Sequence, residues 1–448
     1  MPDEPQLVAE TFDRVLAEAR SRGVRDVEAI VSGSSNALTR FANNAIHQNV
    51  AERTAQLSVR TVIDGRTARA STNRLDGAGI RDVVEQVVAI TRLTAADADL
   101  LPLAERVAFE PLDRFDERTA FVSPQERAEA VAEAIQQVEG AGQTAAGIYS
   151  TELSTLSLLN SRGVSLSYTE TMARFSITAM AADSSGWAKA SACRVRDLHP
   201  SQLARQAAQK AAASRAPHEL LPGRYTVVLE PAAVLDLVGQ MFGDFSATAI
   251  RDGRSFLNDR IAKKLFGANI TITDNARHSL QSGAPFDGEG VPRKRLTLVD
   301  RGVVREIAYC RQAAAAESVA PTGHGFSVPN EIGEAPMNIV IAGGETTVDQ
   351  MLASTGHGVL VTRLWYIREV DPYEKIFTGM TRDGTFLIEN GEVVGGIRNF
   401  RFNQSLIELL SNVEALSPPV RASGEETFDM VVPAMKAHSF NFTEVTRF

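Results

Sequence analysis

The stretch GRYTVVLEPAAVLDLVGQMFG, residues 223–243, changes its period once. Tyr225–Leu229 is β-branched and apolar and reads as a strand. Pro231 then opens a helix, at a first-turn position where its missing N–H costs nothing. Stepped at about 100° per residue, Val234, Leu235, Leu237, Val238, Met241 and Phe242 cover one broad face. The opposite side is small (Ala232, Ala233, Gly239), and Asp236 and Gln240 are its only polar groups. A helix of this kind is expected to be buried. The remaining question is whether Asp236 and Gln240 carry chemistry there.

A Pro-bounded linker, Ala216–Pro222, sets this stretch apart from the chain before it. Upstream, Leu7, Val8, Phe12, Val15, Leu16 and Ala19 share a helical face closed by Gly23. Strand signals follow at 27–31, 37–42, 45–50, 55–63 and 67–72, with turn chemistry at Asn43-Asn44 and Asp64-Gly65. A helix over 80–93 comes next, then an Asp-, Glu- and Pro-rich connector over 95–119. Ser123-Pro124-Gln125-Glu126 is a full helix start. The pattern then repeats. Ala55–Arg60 resembles Ala173–Thr178, Ala68–Thr72 resembles Ala188–Ala192, and each copy ends in a helix. This predicts an internal duplication of a hairpin–hairpin–helix unit across residues 25–215. Downstream, a charged helix is expected around 254–266. Strands follow at 270–273, 296–299, 303–308, 337–341 and 359–364, a meander is punctuated by Asp383-Gly384 and Asn390-Gly391, and the last strand runs over 428–432. The expected fold class is α+β, with duplicated β-hairpin/helix layers in the N-terminal half and a strand-rich barrel or sandwich around the buried helix. Domains are placed at 1–110, 111–220 and 221–448.

The 448 residues have an ordinary globular composition and a net charge of −9, which argues against a general nucleic-acid binder. Arg293-Lys294-Arg295, the densest basic run, reads as the exposed rim of a strand. Two cysteines outside any CxxC pair, a start without signal-peptide character and no long apolar run lead to the expectation of a soluble cytoplasmic protein with no membrane partner. GxSxG, Walker and GxGxxG elements are missing, as is any HExxH or HxH pair. What remains is Gly323-His324-Gly325, Gly356-His357-Gly358, and the loop Phe286-Asp287-Gly288-Glu289-Gly290-Val291-Pro292. Asp287 and Glu289 fit either a paired-carboxylate acid/base site or an ordinary turn.

The helix over 235–243, the FDGEGVP loop with the strand start Arg295-Leu296-Thr297, Ser354–Val359, Phe386–Glu392 and Asn160–Gly163 together resemble the TldD/PmbA (TldE) family over nearly the whole chain. The resemblance implies a cytoplasmic zinc-peptidase assembly acting on small or unfolded polypeptides, with a historical description as a modulator of DNA gyrase. TldD-type members carry HExxxH on this helix and a later Cys as third ligand. Here Leu235, Asp236 and Gln240 stand at those positions and no Cys follows Cys310. Leu has no lone pair and Gln is a poor zinc ligand. The expected reading is therefore the non-catalytic PmbA/TldE-like subunit. It binds no metal itself and pairs with a zinc-bearing TldD-like partner or with itself as a homodimer. Asp287, Glu289 and His357 are candidates for lining a peptide channel, the peptide adding to a sheet edge. A homodimeric hydrolase using Asp287, Glu289, His324 and His357, and a regulatory interaction protein, are the alternatives.

Overall fold

The computed structural model describes residues 4–446. Helix α1 (Glu4–Ser21) leads into β1 (Asp26–Ala42), β2 (Ala45–Ile63), β3 (Arg66–Thr72) and α2 (Gly77–Leu93). After a one-turn helix α3 (Glu117–Ala120) come α4 (Pro124–Gly140), β4 (Thr144–Asn160), β5 (Ser165–Met180), β6 (Ser185–Ala192) and α5 (Pro200–Ala213). The six strands form one antiparallel sheet in the order β3-β2-β1-β4-β5-β6. Each half mirrors the other about the central β1–β4 pair, which supports the duplication read from the sequence. The ladders refine the match: Leu57 faces Thr72 while Phe175 faces Ala190, so the equivalent of Thr72 is Ala190 and not Ala192. The second sequence block is slipped along its strand by one pleat, which leaves its in–out alternation unchanged.

The five short strands expected over 27–72 are three long ones. Asn43-Asn44 and Asp64-Gly65 are the true two-residue turns, all four residues having positive φ. Ser32-Gly33-Ser34-Ser35-Asn36 looks like a loop in sequence but pairs with β2 on one side and β4 on the other. One sheet face carries the helices. Val27, Ala29, Leu57 and Val59 pack under α1 and α2, and Tyr149, Phe175 and Ile177 pack under α4 and α5. On the other face Leu158, Leu166 and Tyr168 meet Phe286 of the C-terminal region.

That region begins with β7 (Gly223–Leu229), α6 (Pro231–Val238) and α7 (Ala247–Arg251). Short elements follow: β8 (Ile272–Asp274), β9 (Leu296–Asp300), β10 (Val303–Val304), α8 (Arg311–Ala316), β11 (Ile339–Ile341) and α9 (Val348–Ala353). Then come β12 (His357–Asp371), β13 (Ile376–Glu389), β14 (Glu392–Gly396), β15 (Phe400–Ser405) and α10 (Leu406–Ser411). The chain ends in β16 (Val413–Leu416), β17 (Val420–Ala422), β18 (Met430–Val432) and β19 (Met435–Val445). Strands β12-β7-β19-β15-β13 pair in sequence, and β12 pairs again with β13, closing a five-stranded barrel. A second sheet runs β10-β9-β8-β11-β18-β17. Helix α6 packs against β12 of the barrel and against β17 and β18 of the second sheet, so one core unites both.

Three expectations are corrected. Residues 254–266 form a run of turns, with Asp259 and Ala262 at positive φ, because Phe256, Leu257 and Phe266 are all drawn into the core and cannot share one helix face. Asp383-Gly384 lies inside β13 and only Asn390-Gly391 is a hairpin turn. The positive-φ pair is an irregularity that lets Asp383 reach Arg363 and Ser185. The last strand among the described residues is β19, which follows Pro433 and pairs between β7 and β15 of the barrel.

At Gly147 in β4 an added Cβ would sit 2.6 Å from Phe41 Cζ and collide with Ser176 O, both within the sheet. Gly147→Val should lower unfolding stability by about 3 kcal/mol. Gly140→Ala, at a position open on every side, should not lower it. Chemical denaturation of both variants checks this.

Candidate functional site

Glu230 precedes α6, and its carboxylate takes the Lys210 ammonium of α5 at 2.6 Å, which ties the helix start to the first sheet's helices. Pro231 occupies the first turn as expected. Leu235 and Asp236 are fully buried. The α-helix stops at Val238 and tightens into a 3-10 turn over Gly239–Asp244, so the sequence-predicted helix is shorter than its apolar pattern. Asp236 Oδ1 accepts the backbone N–H groups of Glu425 and Glu426, each at 3.0 Å. Thr427 Oγ1 donates to Leu235 O at 3.3 Å, and Gln240 Nε2 donates to Asp236 O at 3.1 Å. The segment 423–429 is thus strapped onto α6. Only Gly fits at 424, because a Cβ there would strike Asp236 Oδ1 and lie 2.6 Å from Leu235 Cδ2. Asp236 Oδ2 is buried without a partner. Burial pushes this carboxyl up to about 7, against the two N–H groups that favour its ionised form.

The FDGEGVP loop lies between the first sheet and the C-terminal region, with Gly290 against Leu158 and Val164. Asp287 and Glu289 are brought together and both are buried. Asp287 Oδ1 accepts from the N–H groups of Glu289 and Val291, and Oδ2 from Gly325 N. All of this holds the loop in shape. Glu289 accepts Arg311 N at 2.7 Å. Burial first, and Asp287 second, push its carboxyl up to about 7. Arg60 of β2 faces it from the first sheet. The two Gly-His-Gly segments part company. His324 is buried, its Nδ1 2.9 Å from Thr322 Oγ1 and its Nε2 3.1 Å from Asp274 Oδ1. His357 opens strand β12 instead of lying in a loop. It is exposed, 4.0 Å from Glu389 and beside the Tyr225 ring, and belongs to neither group.

Sequence reasoning passed over two carboxylates here. Asp274 Oδ2 accepts the N–H groups of Met337 and Asn338, and the close approach of the His324 ring outweighs burial and holds its carboxyl below the usual range. Glu334 gathers Ser246 Oγ at 2.6 Å, Thr248 N and Cys310 N. Burial and then Glu334 push the Cys310 thiol up to about 12, and its sulfur caps α8. Neither carboxylate stands in any motif. Arg293 did carry a signal, but the expected exposed rim is wrong at this residue: Arg293 is half-buried, while Lys294 and Arg295 are exposed.

Residues 222–444, 111–215 and 27–91 match the C-terminal domain, central domain and domain 1 of the PmbA/TldA metallopeptidases. The chain belongs to the PmbA/TldA metallopeptidase family. It is 23% identical over 294 residues to a metalloprotease of Methanothermobacter thermautotrophicus, covering 60% of this chain and 61% of that one. It is 25% identical over 211 residues to a metalloprotease TldD homolog of Buchnera aphidicola, covering 45% and 42%. The chain therefore spans between two-fifths and three-fifths of the length of these relatives. In fold it is similar to TldE from Thermococcus kodakarensis, with a TM-score of 0.87 at 18% identity over 97% of this chain and 100% of that one. It is also similar to a Thermotoga maritima protein named for a proposed modulation of a DNA gyrase, with a TM-score of 0.86 at 20% identity over 97% and 100%. No helix among the described residues is long and apolar enough to cross a membrane.

The family name implies a metal, and Leu235, Asp236 and Gln240 do not fit one. Leu235 offers only carbon. Asp236 has one oxygen committed to two N–H groups and the other enclosed in the core, and the Gln240 amide is turned back onto the helix. Cys310 is spent as a helix cap.

The raised carboxyl of Asp236 makes stability depend on pH. Below roughly pH 4 both folded and unfolded chains hold the proton. Above that the unfolded chain releases it first, so the stabilising contribution fades as pH rises and is gone above about 7. Asp236→Asn keeps the Oδ1 acceptor and cannot ionise. Its stability advantage over the wild type should grow by about 2 kcal/mol between roughly pH 5 and pH 8. Parallel stability–pH curves for the two proteins would contradict this.

Proposed function

We propose that this chain is the metal-free, non-catalytic member of a paired, cytoplasmic zinc peptidase acting on small or unfolded polypeptides. Its partner is a TldD-like chain that carries the metal and the hydrolytic chemistry, and this chain supplies part of the wall around the peptide. The observation that carries the reading is the fate of the three motif positions: Leu235, Asp236 and Gln240 all serve packing or strap-holding contacts. The family membership and the TldE-like fold agree with it.

A bare strand edge supports pairing. β3 covers only Leu57–Ile63 of β2, and Ala45–Gln56 is exposed throughout. The corresponding half of β5 is covered, because Arg114 bridges to Glu170 and the Thr171 N–H donates to Arg114 O. One half of the duplicated sheet is thus met by its own connector at Arg114, and the bare edge of the other half is open to strand addition. An unpaired edge of this length is a template for strand addition.

The test is peptide hydrolysis by the purified chain, by a TldD-like family member, and by the two together, with an unfolded protein as substrate. Cleavage that requires the second chain, at an undiminished rate when this chain carries Asp236→Asn, is the expected result. Cleavage by this chain alone that disappears on Asp236→Ala would overturn the proposal.

A further inference from the structure

A cavity of about 380 Å³ opens between the first sheet and the second, beside the strap that α6 holds. Arg174 and Lys189 stand on it from β5 and β6, and Arg293, Asn338, Gly424 and Asp429 from the C-terminal region. Most of these charges are already matched. Arg174 pairs with Glu152 at 3.1 Å, Lys189 with Glu425 at 3.2 Å, and Asp429 with Arg421 at 2.9 Å. Asn338 Nδ2 donates to Ser282 O.

Arg293 is different. Its Nε and Nη1 are buried and make no hydrogen bond. Directly behind Met337 and Asn338 lies Asp274, with its Oδ1 beside the neighbouring His324 Nε2. These two atoms face each other at 3.1 Å and so answer one another. Two orphaned buried donors therefore belong to one residue that lines this cavity. Native interiors rarely leave such groups unmet, and a pair of them marks a place where another polar group sits. The unmet donors belong to a guanidinium, beside the already paired Arg174 and Lys189. A planar group with two acceptor oxygens and one negative charge matches that fork.

We propose that this cavity is a carboxylate-binding site centred on Arg293, taking either the free C-terminal carboxylate of a peptide or a small free carboxylate. The cavity is large enough for the last residues of an extended peptide. Through Gly424 and Asp236 it adjoins α6, so a bound chain end lies beside the helix that carries the degenerate metal motif. The site is complete within this chain and stands whether or not the paired-peptidase reading holds.

The test is calorimetric titration of the full-length chain, alone and at fixed ionic strength, with an N-acetylated trialanine bearing a free C-terminus, its C-terminal amide, acetate, and inorganic phosphate. The free acid should bind, and the amide should bind about tenfold more weakly or worse. Arg293→Met should weaken the free acid by a similar factor, while Lys294→Met, at the exposed neighbour, should leave it unchanged. Acetate equal to the tripeptide would identify small carboxylates as the ligand, and acetate much weaker would identify the peptide terminus. Equal binding of acid and amide, no binding of either, phosphate binding as tightly as the free acid, or unchanged affinity in a folded Arg293→Met variant would each overturn the assignment.

Discussion

Two backbone N–H groups on one buried carboxylate hold the middle of this molecule together. Asp236 Oδ1 takes Glu425 N and Glu426 N, and Gly424 is pressed so closely that no side chain fits. The strap so fixed joins β17 to β18, and its carbonyl at Gly424 receives the Lys189 ammonium from the first sheet at 2.6 Å. One contact thus locks the core helix, the second sheet and the duplicated sheet into a single arrangement. Desolvating a carboxylate is costly, and it is tolerable here because the backbone donors offset part of the penalty and the group can hold its proton. A residue with this duty is not free to act as a general base. In this chain Asp236 does structural service.

The duplicated sheet shows how one pattern can be finished in two ways. Both copies place a three-stranded unit and a helix about the β1–β4 seam, and in both the long outer strand is only half covered by the short one. The connector then lies along one exposed half. Arg114 threads back to the carbonyls of Ala276 and Gly283, so a segment without regular structure is pinned to the C-terminal region. The connector, acidic and Pro-rich in sequence, is in this sense part of the domain junction.

Much of this was legible in the sequence where local physics decides. The Ser123 capping box, the Asn43-Asn44 turn and the strand-to-helix switch at Pro231 came out as read, because each is settled by a few adjacent residues. The duplication was legible from the resemblance of Ala55–Arg60 to Ala173–Thr178, and its slip by one pleat was not, since in–out alternation repeats every second residue. Long-range decisions were out of reach. Phe256, Leu257 and Phe266 abandon a helix for a core built by distant strands, and Asp383-Gly384 has hairpin composition but is claimed by Arg363 and Ser185. For the site, side-chain chemistry alone gave the expectation that Leu235 and Gln240 hold no metal, and the structure places Leu235 in the core and turns the Gln240 amide onto Asp236 O. The roles of Asp274, Glu334 and Arg293 were not legible, because nothing in a sequence tells which single polar residue will be buried against which partner.

The claim on which the account turns is the proposal that Leu235, Asp236 and Gln240 hold no metal. Elemental analysis of the purified chain, after dialysis against zinc and then against zinc-free buffer, tests it most directly. The account predicts well below about one-tenth of a zinc per chain, because a site lacking three of its donor groups cannot retain the ion. About one zinc per chain, lost when Asp236 or Gln240 is replaced by alanine, would contradict it.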